Sequence, residues 1–150
     1  GRITQQGALL MLYVDTSVFV SLLTRENKTS DVNAWYSSCT QPLVSSAWCV
    51  TEFASALALK QRTGQLTKES CSEAWEQFQT LCKRDLTLLP AASMHFYQAA
   101  LAILKSPASL RAGDALHLAM ALENKTQGLV SLDEGLLKNA KLLKIKAISI

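Results

Sequence analysis

Short, continuously apolar runs alternate along the chain with longer segments in which apolar residues recur every three or four positions. A short apolar run bounded by polar or turn residues predicts a buried strand, and a long periodic segment predicts a helix. The runs that predict strands are 12–14, 42–44, 86–89, 128–132 and 147–150. The segments that predict helices are 17–23, 29–39, 47–62, 67–84, 93–105, 112–124 and 134–143.

Two hydroxyl residues suggest how two of these helices begin. Ser17 stands at the beginning of the first predicted helix, where its hydroxyl can cap free backbone N–H groups. Ser70 and Glu73 have the spacing of a capping box near the beginning of the helix predicted over 67–84. We therefore expect capped N-termini at both places.

The alternation of short buried strands with helices predicts an α/β fold. Because strands that are apolar throughout are covered on both faces, we expect a three-layer sandwich with a five-stranded parallel sheet between helices. A chain of 150 residues is the usual size of one domain, and we place that domain at 11–150. Residues 1–10 precede the periodic pattern, and we interpret them as an expression remnant or a disordered N-terminus, with Met11 as the natural start.

Four carboxylates interrupt otherwise apolar segments. Asp15 is the only charged residue between Arg2 and Arg25, and Glu52 is the only one between Asp31 and Lys60. Asp114 stands in the first turn of its predicted helix, and Asp133 directly follows a predicted strand. An unpaired buried charge costs several kcal/mol, about 2–7 even for neutral polar groups, so these acids require an explanation.

Helix capping accounts for three of the four acids when each is taken alone. Asp15 and Asp133 stand where N-caps are expected, and Asp114 would benefit from the helix dipole. Glu52 lies in the middle of a helix among apolar neighbours, where neither explanation applies. Capping therefore does not explain the four acids together.

If the fold brings the four acids to one edge of the sheet, they form an acidic cavity. Two carboxylates about 4 Å apart repel by roughly 4 kcal/mol at an effective dielectric constant near 20, so the cluster needs a proton or a cation. An all-oxygen ligand set selects Mg²⁺ or Mn²⁺. Such an ion suits hydrolysis of a phosphodiester bond by a metal-activated water.

Composition and charge exclude several other classes of protein. The chain has 49% hydrophobic residues, a net charge of +3 and four cysteines without a Cys-x-x-Cys pair. A zinc site and a disulfide framework are therefore not expected, and we interpret the cysteines as reduced thiols of a cytoplasmic protein. No apolar run approaches the roughly 18–20 residues of a membrane span, so no membrane association is expected.

The segments that carry these acids resemble the PIN-domain nucleases, and most closely the VapC-type toxins of toxin-antitoxin pairs. The resemblance covers the chain from Met11 to Ile150. It rests on the segments Tyr13-Val14-Asp15-Thr16-Ser17, the Glu52 helix, 110–119 and Ser131-Leu132-Asp133, which stand in the family's order. Asp15, Glu52, Asp114 and Asp133 match the acids of that family one by one.

This resemblance implies a function and a set of partners. The expected activity is that of a Mg²⁺- or Mn²⁺-dependent endoribonuclease in which the four acids bind metal and catalyse hydrolysis of RNA. The expected partners are an RNA substrate, a VapB-type antitoxin and a second copy of the chain in a homodimer. A housekeeping PIN-type RNA-processing nuclease and a non-catalytic RNA-binding module remain alternatives.

Several residues beside the acids have two interpretations each. Thr16, Ser17 and Ser131 either hold water, phosphate or a neighbouring acid, or serve only as caps and strand-end hydroxyls. Arg111 either contacts an RNA phosphate or pairs with an acid of the cavity. His117 stands one helical turn after Asp114, and we favour packing or support of the site over a role as general base.

Basic and aromatic residues offer further candidates for contacts with RNA. Lys138, Lys141, Lys144 and Lys146 have spacings that favour one helix face, which either grips an RNA backbone or is simply solvated. Aromatic residues occur on predicted helices at core-like spacing, and we favour packing or dimer contacts for them over base stacking: Trp35, Tyr36, Trp48, Trp75, Phe96 and Tyr97.

Overall fold

A computed structural model describes residues 10–150 of the chain. Residues 1–9, which make up nearly all of the predicted N-terminal remnant, lie outside the described residues. The strands are β1 (Leu12–Val14), β2 (Leu43–Ser46), β3 (Leu86–Leu89), β4 (Gly128–Ser131) and β5 (Ala147–Ser149). They form one parallel sheet in the order β3-β2-β1-β4-β5, which confirms the predicted α/β fold.

Seven helices connect these strands in the described part of the chain. They are α1 (Thr16–Leu23), α2 (Thr29–Ser38), α3 (Trp48–Arg62), α4 (Lys68–Arg84), α5 (Ser93–Lys105), α6 (Ala112–Glu123) and α7 (Glu134–Leu142). Their bounds agree with the predicted helices to within one residue at either end.

The helices cover both faces of the sheet because successive strand residues point to opposite sides. Leu12 and Val14 of β1 belong to a core with Phe53 and Phe78 of helices α3 and α4. Tyr13 belongs to the other core, which includes residues of α6 and α7. The structure is therefore the three-layer sandwich that the sequence predicts.

The strand order places a crevice beside β1. From β1 the chain first adds β2 and β3 on one side and later adds β4 and β5 on the other. In open α/β sheets such a reversal leaves a crevice beyond the carboxyl ends of the strands, where ligands bind. Asp15 directly follows β1 and Asp133 follows β4, so both stand at this edge.

Two predicted helix caps are wrong. Helix α1 begins at Thr16, and Ser17 lies inside its first turn with its hydroxyl on Asp15 instead of the helix backbone. Helix α4 begins at Lys68, and its cap is Thr67, whose side-chain oxygen accepts a hydrogen bond from the Ser70 backbone N–H at 3.0 Å. The Ser70–Glu73 spacing therefore does not mark a capping box.

None of the helices between residues 10 and 150 is both long and apolar enough to cross a membrane.

Gly128 allows β4 to approach β5 closely. A Cβ at this position would lie 2.7 Å from Ile148 Cδ1 and 3.2 Å from the Lys146 carbonyl oxygen. We expect Gly128→Ala to lower the free energy of unfolding by about 1–3 kcal/mol, because either the side chain or the strand must shift. Denaturant titration measures this, and Ile148→Val in the same protein should recover part of the loss because it removes Cδ1. An unchanged or increased stability of Gly128→Ala would contradict the close approach.

Candidate active site

The four predicted acids lie at the carboxyl edge of the sheet and at the helix ends around it. Asp15 is 5% exposed, whereas the side chains of Glu52, Asp114 and Asp133 are between about a fifth and a third exposed. The charges of Glu52 and Asp133 act on Asp114, and the charge of Asp114 acts on Asp15. The fold therefore brings together acids that lie up to 118 positions apart in the sequence.

Asp15 is a buried carboxylate that does not cap its helix. It occupies the N-cap position of α1, but its side chain makes no capping hydrogen bond. Instead its Oδ1 accepts a hydrogen bond from Ser17 Oγ at 2.7 Å, and Ser17 Oγ in turn accepts one from the Leu132 N–H. Burial raises the pKa of Asp15 to about 6, although hydrogen bonds from Ser17 and Ser131 lower it. The ionised form of Asp15 is therefore costly without a nearby cation.

Asp133 combines two roles at the beginning of α7. Its Oδ1 caps the helix by accepting a hydrogen bond from the Leu136 N–H at 3.0 Å. Its backbone N–H donates to Ser131 Oγ at 2.9 Å, so Ser131 orients the turn that carries it. Capping explains the position of Asp133 but leaves its Oδ2 directed toward Arg111.

Arg111 joins two of the acids across the edge of the site. Its guanidinium lies 3.3 Å from Asp133 Oδ2 and 3.7 Å from Asp114 Oδ2, and its side chain is 79% exposed. Burial and the charge of Asp133 raise the pKa of Asp114, while the charge of Arg111 lowers it. Because such exposed pairs contribute only about 0–1 kcal/mol, the guanidinium is free to exchange partners.

Glu52 is held by donors from three elements. Its Oε1 accepts a hydrogen bond from Thr16 Oγ1 at 2.7 Å and also lies within hydrogen-bond distance of His117 Nε2. Burial raises the pKa of Glu52, but the contacts with His117, Thr16 and Trp48 outweigh burial and leave the pKa below its ordinary value. Glu52 is thus ionised and satisfied within the protein.

Gly113 explains how α6 approaches Glu52 so closely. A Cβ at this position would lie 3.0 Å from Glu52 Oε2 and 3.1 Å from Trp48 Nε1. The glycine next to Asp114 therefore gives the Glu52 carboxylate and the Trp48 indole space against the beginning of α6.

The donor set of the site fits a hard divalent cation. Between residues 10 and 150, no three His, Cys, Asp or Glu side chains already stand close enough to form a metal cage. Mg²⁺ does not require one, because it is commonly held by one or two carboxylates and keeps several of its waters. Asp15 and Asp114, whose pKa values are raised, are the carboxylates that would gain most from a cation.

The lysine cluster lies away from the acids. Lys138 and Lys141 are on α7, whereas Lys144 and Lys146 follow the end of that helix at Leu142, so the predicted single helix face is wrong. Helix α7 begins at the carboxyl ends of the strands, beside the acids. It is followed by β5, whose first residue, Ala147, pairs with Leu129 near the amino end of β4. The last three lysines therefore lie toward the opposite edge of the sheet.

The aromatic residues divide into core and surface positions. Trp35, Tyr36 and Trp75 pack against the core as predicted. Phe96 and Tyr97 of α5 are exposed, with 76% of Tyr97 accessible, so of their two predicted roles core packing is wrong and dimer contacts stay a prediction. Trp48 is also exposed, and it stands beside Glu52 at the site.

The sequence pattern gives no site role to three contributors. Trp48 is expected to make packing or dimer contacts, and Tyr13 and Gly113 occur only within segments that resemble the PIN family. The spacing of Trp48 and Glu52, one helical turn apart on α3, is the signal that indicates a shared face.

The chain is similar to known proteins of one family. Residues 12–142 match the PIN domain family. Ribonuclease VapC45 and ribonuclease VapC49, both of Mycobacterium tuberculosis, are each 35% identical to the chain over 123 residues, which is 80% of this chain and 81% of each relative. The chain therefore belongs to the PIN-domain family and is related within it to the VapC ribonucleases. Metal dependence is general among them.

Solved structures share the fold at lower sequence identity. VapC20 of Mycobacterium tuberculosis, a toxin that cleaves the sarcin-ricin loop, has a TM-score of 0.69 and 14% identity and covers 83% of this chain and 92% of its own. PAE2754 of Pyrobaculum aerophilum has a TM-score of 0.69 and 19% identity and covers 97% of this chain and 88% of its own. VapBC2 of Rickettsia felis, bound to a promoter DNA fragment, has a TM-score of 0.65 and 10% identity and covers 93% of this chain and 98% of its own.

The raised pKa of Asp15 predicts how the metal-free protein responds to pH. Its pKa is about 6 in the folded state and 3.8 ordinarily, so the free energy of unfolding falls as pH rises from about 4 to about 6 and stays at the lower level above that. At pH 7.5 without metal, we expect Asp15→Asn to raise the free energy of unfolding by about 1–3 kcal/mol. The asparagine keeps an oxygen that can accept from Ser17, and the gain should vanish near pH 4.

Denaturant titration at the two pH values measures this difference. Asp31→Asn is the matched control, because Asp31 is exposed and, among residues 10–150, forms an ion pair only with Lys28 at 3.6 Å. A loss of stability in Asp15→Asn at pH 7.5 would show that the carboxylate is not strained by burial.

Proposed function

We propose that this protein is a Mg²⁺- or Mn²⁺-dependent endoribonuclease and the toxin of a toxin-antitoxin pair. The observation that carries the proposal is the buried Asp15 carboxylate beside Asp114, at the sheet crevice of a PIN domain. The similarity to two VapC ribonucleases supports RNA as the substrate. We also propose that the protein acts in the cytoplasm, in keeping with an RNA substrate.

The four acids have different tasks in this proposal. Asp15 and Asp114 would hold the cation, with Glu52 and Asp133 completing the site directly or through water. A bound divalent cation would activate a water and neutralise charge on the phosphodiester and the leaving oxygen. Thr16 donates a hydrogen bond to Glu52, and Ser17 donates one to Asp15. These hydrogen bonds keep the two carboxylates in place.

Arg111 is suited to bind the substrate at the edge of the site. Its guanidinium is exposed and already lies between Asp114 and Asp133. When a cation neutralises these carboxylates, the arginine can donate to a phosphate oxygen, for which its planar fork is well matched.

Two kinds of protein partner fit the surface and the comparisons. A VapB-type antitoxin is proposed because the neighbour from Rickettsia felis is a VapBC pair. A second copy of the chain, forming a homodimer, is proposed because α5 exposes several large apolar side chains. Exposure of these side chains to water does not stabilise a monomer, whereas their burial in an interface would stabilise a dimer. These side chains are Met94, Phe96, Tyr97, Leu101 and Leu104.

Removal of either central acid tests the assigned chemistry. We expect Asp15→Asn and Asp114→Asn each to lower the rate of RNA cleavage with Mg²⁺ by about two orders of magnitude or more, because each loses a charged oxygen ligand. The measurement is cleavage of a labelled structured RNA, with Asp31→Asn as the control that should remain active. Full activity in both site variants would refute the assignment.

Expression in bacteria distinguishes a toxin from the alternatives. We expect growth arrest on induction of the wild-type chain, relief on co-expression of the small protein encoded beside it, and no arrest with Asp15→Asn. Harmless overexpression of a protein that cleaves RNA in vitro would favour a housekeeping nuclease. Absence of both cleavage and a Mn²⁺-dependent rise in melting temperature would favour a non-catalytic RNA-binding module.

A further inference from the structure

His117 is one of two histidines in the chain, and it lies buried against the acidic site with 1% of its surface exposed. Its Nε2 contacts Glu52 Oε1, and its Nδ1 lies 2.6 Å from the Tyr13 hydroxyl. Tyr13, His117 and Glu52 therefore form a chain of hydrogen bonds that leads from the core on one face of the sheet to the acids. We call this chain the Tyr13–His117–Glu52 relay.

The hydrogen bonds around Tyr13 indicate which nitrogen of His117 carries the proton. The Tyr13 oxygen accepts a hydrogen bond from the Ser46 backbone N–H at 3.0 Å. Its own proton is then directed to His117 Nδ1, which lies 2.6 Å from the Tyr13 oxygen. His117 accordingly carries its proton on Nε2 and donates it to Glu52.

This donation restricts a side chain that would otherwise be mobile. Glu52 has three rotatable bonds and stands on the side of α3 that faces the site. Its Oε1 receives donors from both His117 and Thr16, which leaves Oε2 beside Gly113 and Trp48 at the beginning of α6. A carboxylate fixed in this way before substrate arrives loses no further freedom when a hydrated cation binds.

We propose that His117 is a positioning residue, which the Tyr13 hydroxyl holds in its Nε2–H form so that Glu52 stays aimed at the metal site. This inference rests on the proposed function, because Glu52 is taken to serve the cation and the RNA. His117 itself touches neither substrate nor metal and is not a general base. The relay acts only through the orientation of Glu52.

Replacement of His117 with and without a donor separates positioning from packing. His117→Leu fills similar space without a donor, whereas His117→Gln offers an amide N–H close to the position of Nε2. We expect His117→Leu to lower kcat for RNA cleavage and to weaken Mn²⁺ binding by about 10- to 100-fold each, with KM for RNA changed by less than about threefold. His117→Gln should recover most of both losses.

His95 provides a matched control elsewhere in the fold. It is also buried, its Nε2 lies 2.6 Å from Glu123 Oε2, and its Nδ1 accepts a hydrogen bond from the Ala92 N–H. His95→Leu therefore removes a similar buried His–Glu pair and should lower the melting temperature without weakening Mn²⁺ binding. If His117→Leu does not fold, Tyr13→Phe removes only the hydroxyl and should lower Mn²⁺ affinity by about 3- to 10-fold.

Calorimetric titration with Mn²⁺ and ¹⁵N NMR of the imidazole make the test independent of catalysis. The expected spectrum shows His117 protonated on Nε2 alone. A proton on Nδ1, unchanged Mn²⁺ affinity in His117→Leu, or equal losses in His117→Leu and His117→Gln would each overturn the positioning role. Failure of the wild-type protein to cleave RNA would instead refute the proposed function, while the Mn²⁺ and NMR results would still decide the role of His117.

Discussion

The burial of the Asp15 carboxylate at the end of the central strand is the constraint on which the rest of the site depends. β1 lies in the middle of the sheet, so the residue that follows it is enclosed by neighbouring strands and helices. The Ser17 hydroxyl could cap the helix backbone, but it donates a hydrogen bond to Asp15 instead. These hydrogen bonds offset only part of the cost of burial, since the pKa of Asp15 still rises to about 6. A bound cation would offset the rest of the cost of burying this carboxylate.

The four acids are equivalent in the sequence pattern but not in the structure. Asp15 and Asp114 have raised pKa values and lack sufficient internal partners. Glu52 is satisfied by Thr16 and His117, and Asp133 by its helix and Arg111. Apart from these four, the chain has eight acidic and fifteen basic residues, so a net charge of +3 conceals an acidic site within a basic exterior. The lysines near the C-terminus contribute to that exterior without adjoining the acids.

Much of the fold could be predicted because its signals are local. Short apolar runs, helical periodicity and isolated charges are visible in consecutive residues, and they indicated the strands, the helices and the unusual character of Asp15 and Glu52. The direction in which a side chain points, and the group that it contacts, could not be predicted in the same way. Whether Ser17 caps a helix or donates to Asp15, and whether Tyr97 faces the core or solvent, depends on elements distant in the sequence. The role of His117 depends on contacts with Tyr13, 104 positions earlier, and with Glu52, 65 positions earlier.

Anomalous diffraction from crystals soaked in Mn²⁺ tests the central claim most directly, because it locates a cation without relying on activity. We expect one or two anomalous peaks within coordinating distance of the Asp15 and Asp114 carboxylates, with Glu52 still hydrogen-bonded to His117. Asp15→Asn crystals treated in the same way should lose the peak or show it strongly weakened. Absence of a peak at these carboxylates in wild-type crystals, or an equal peak in Asp15→Asn crystals, would contradict the claim that burial of Asp15 creates the metal site.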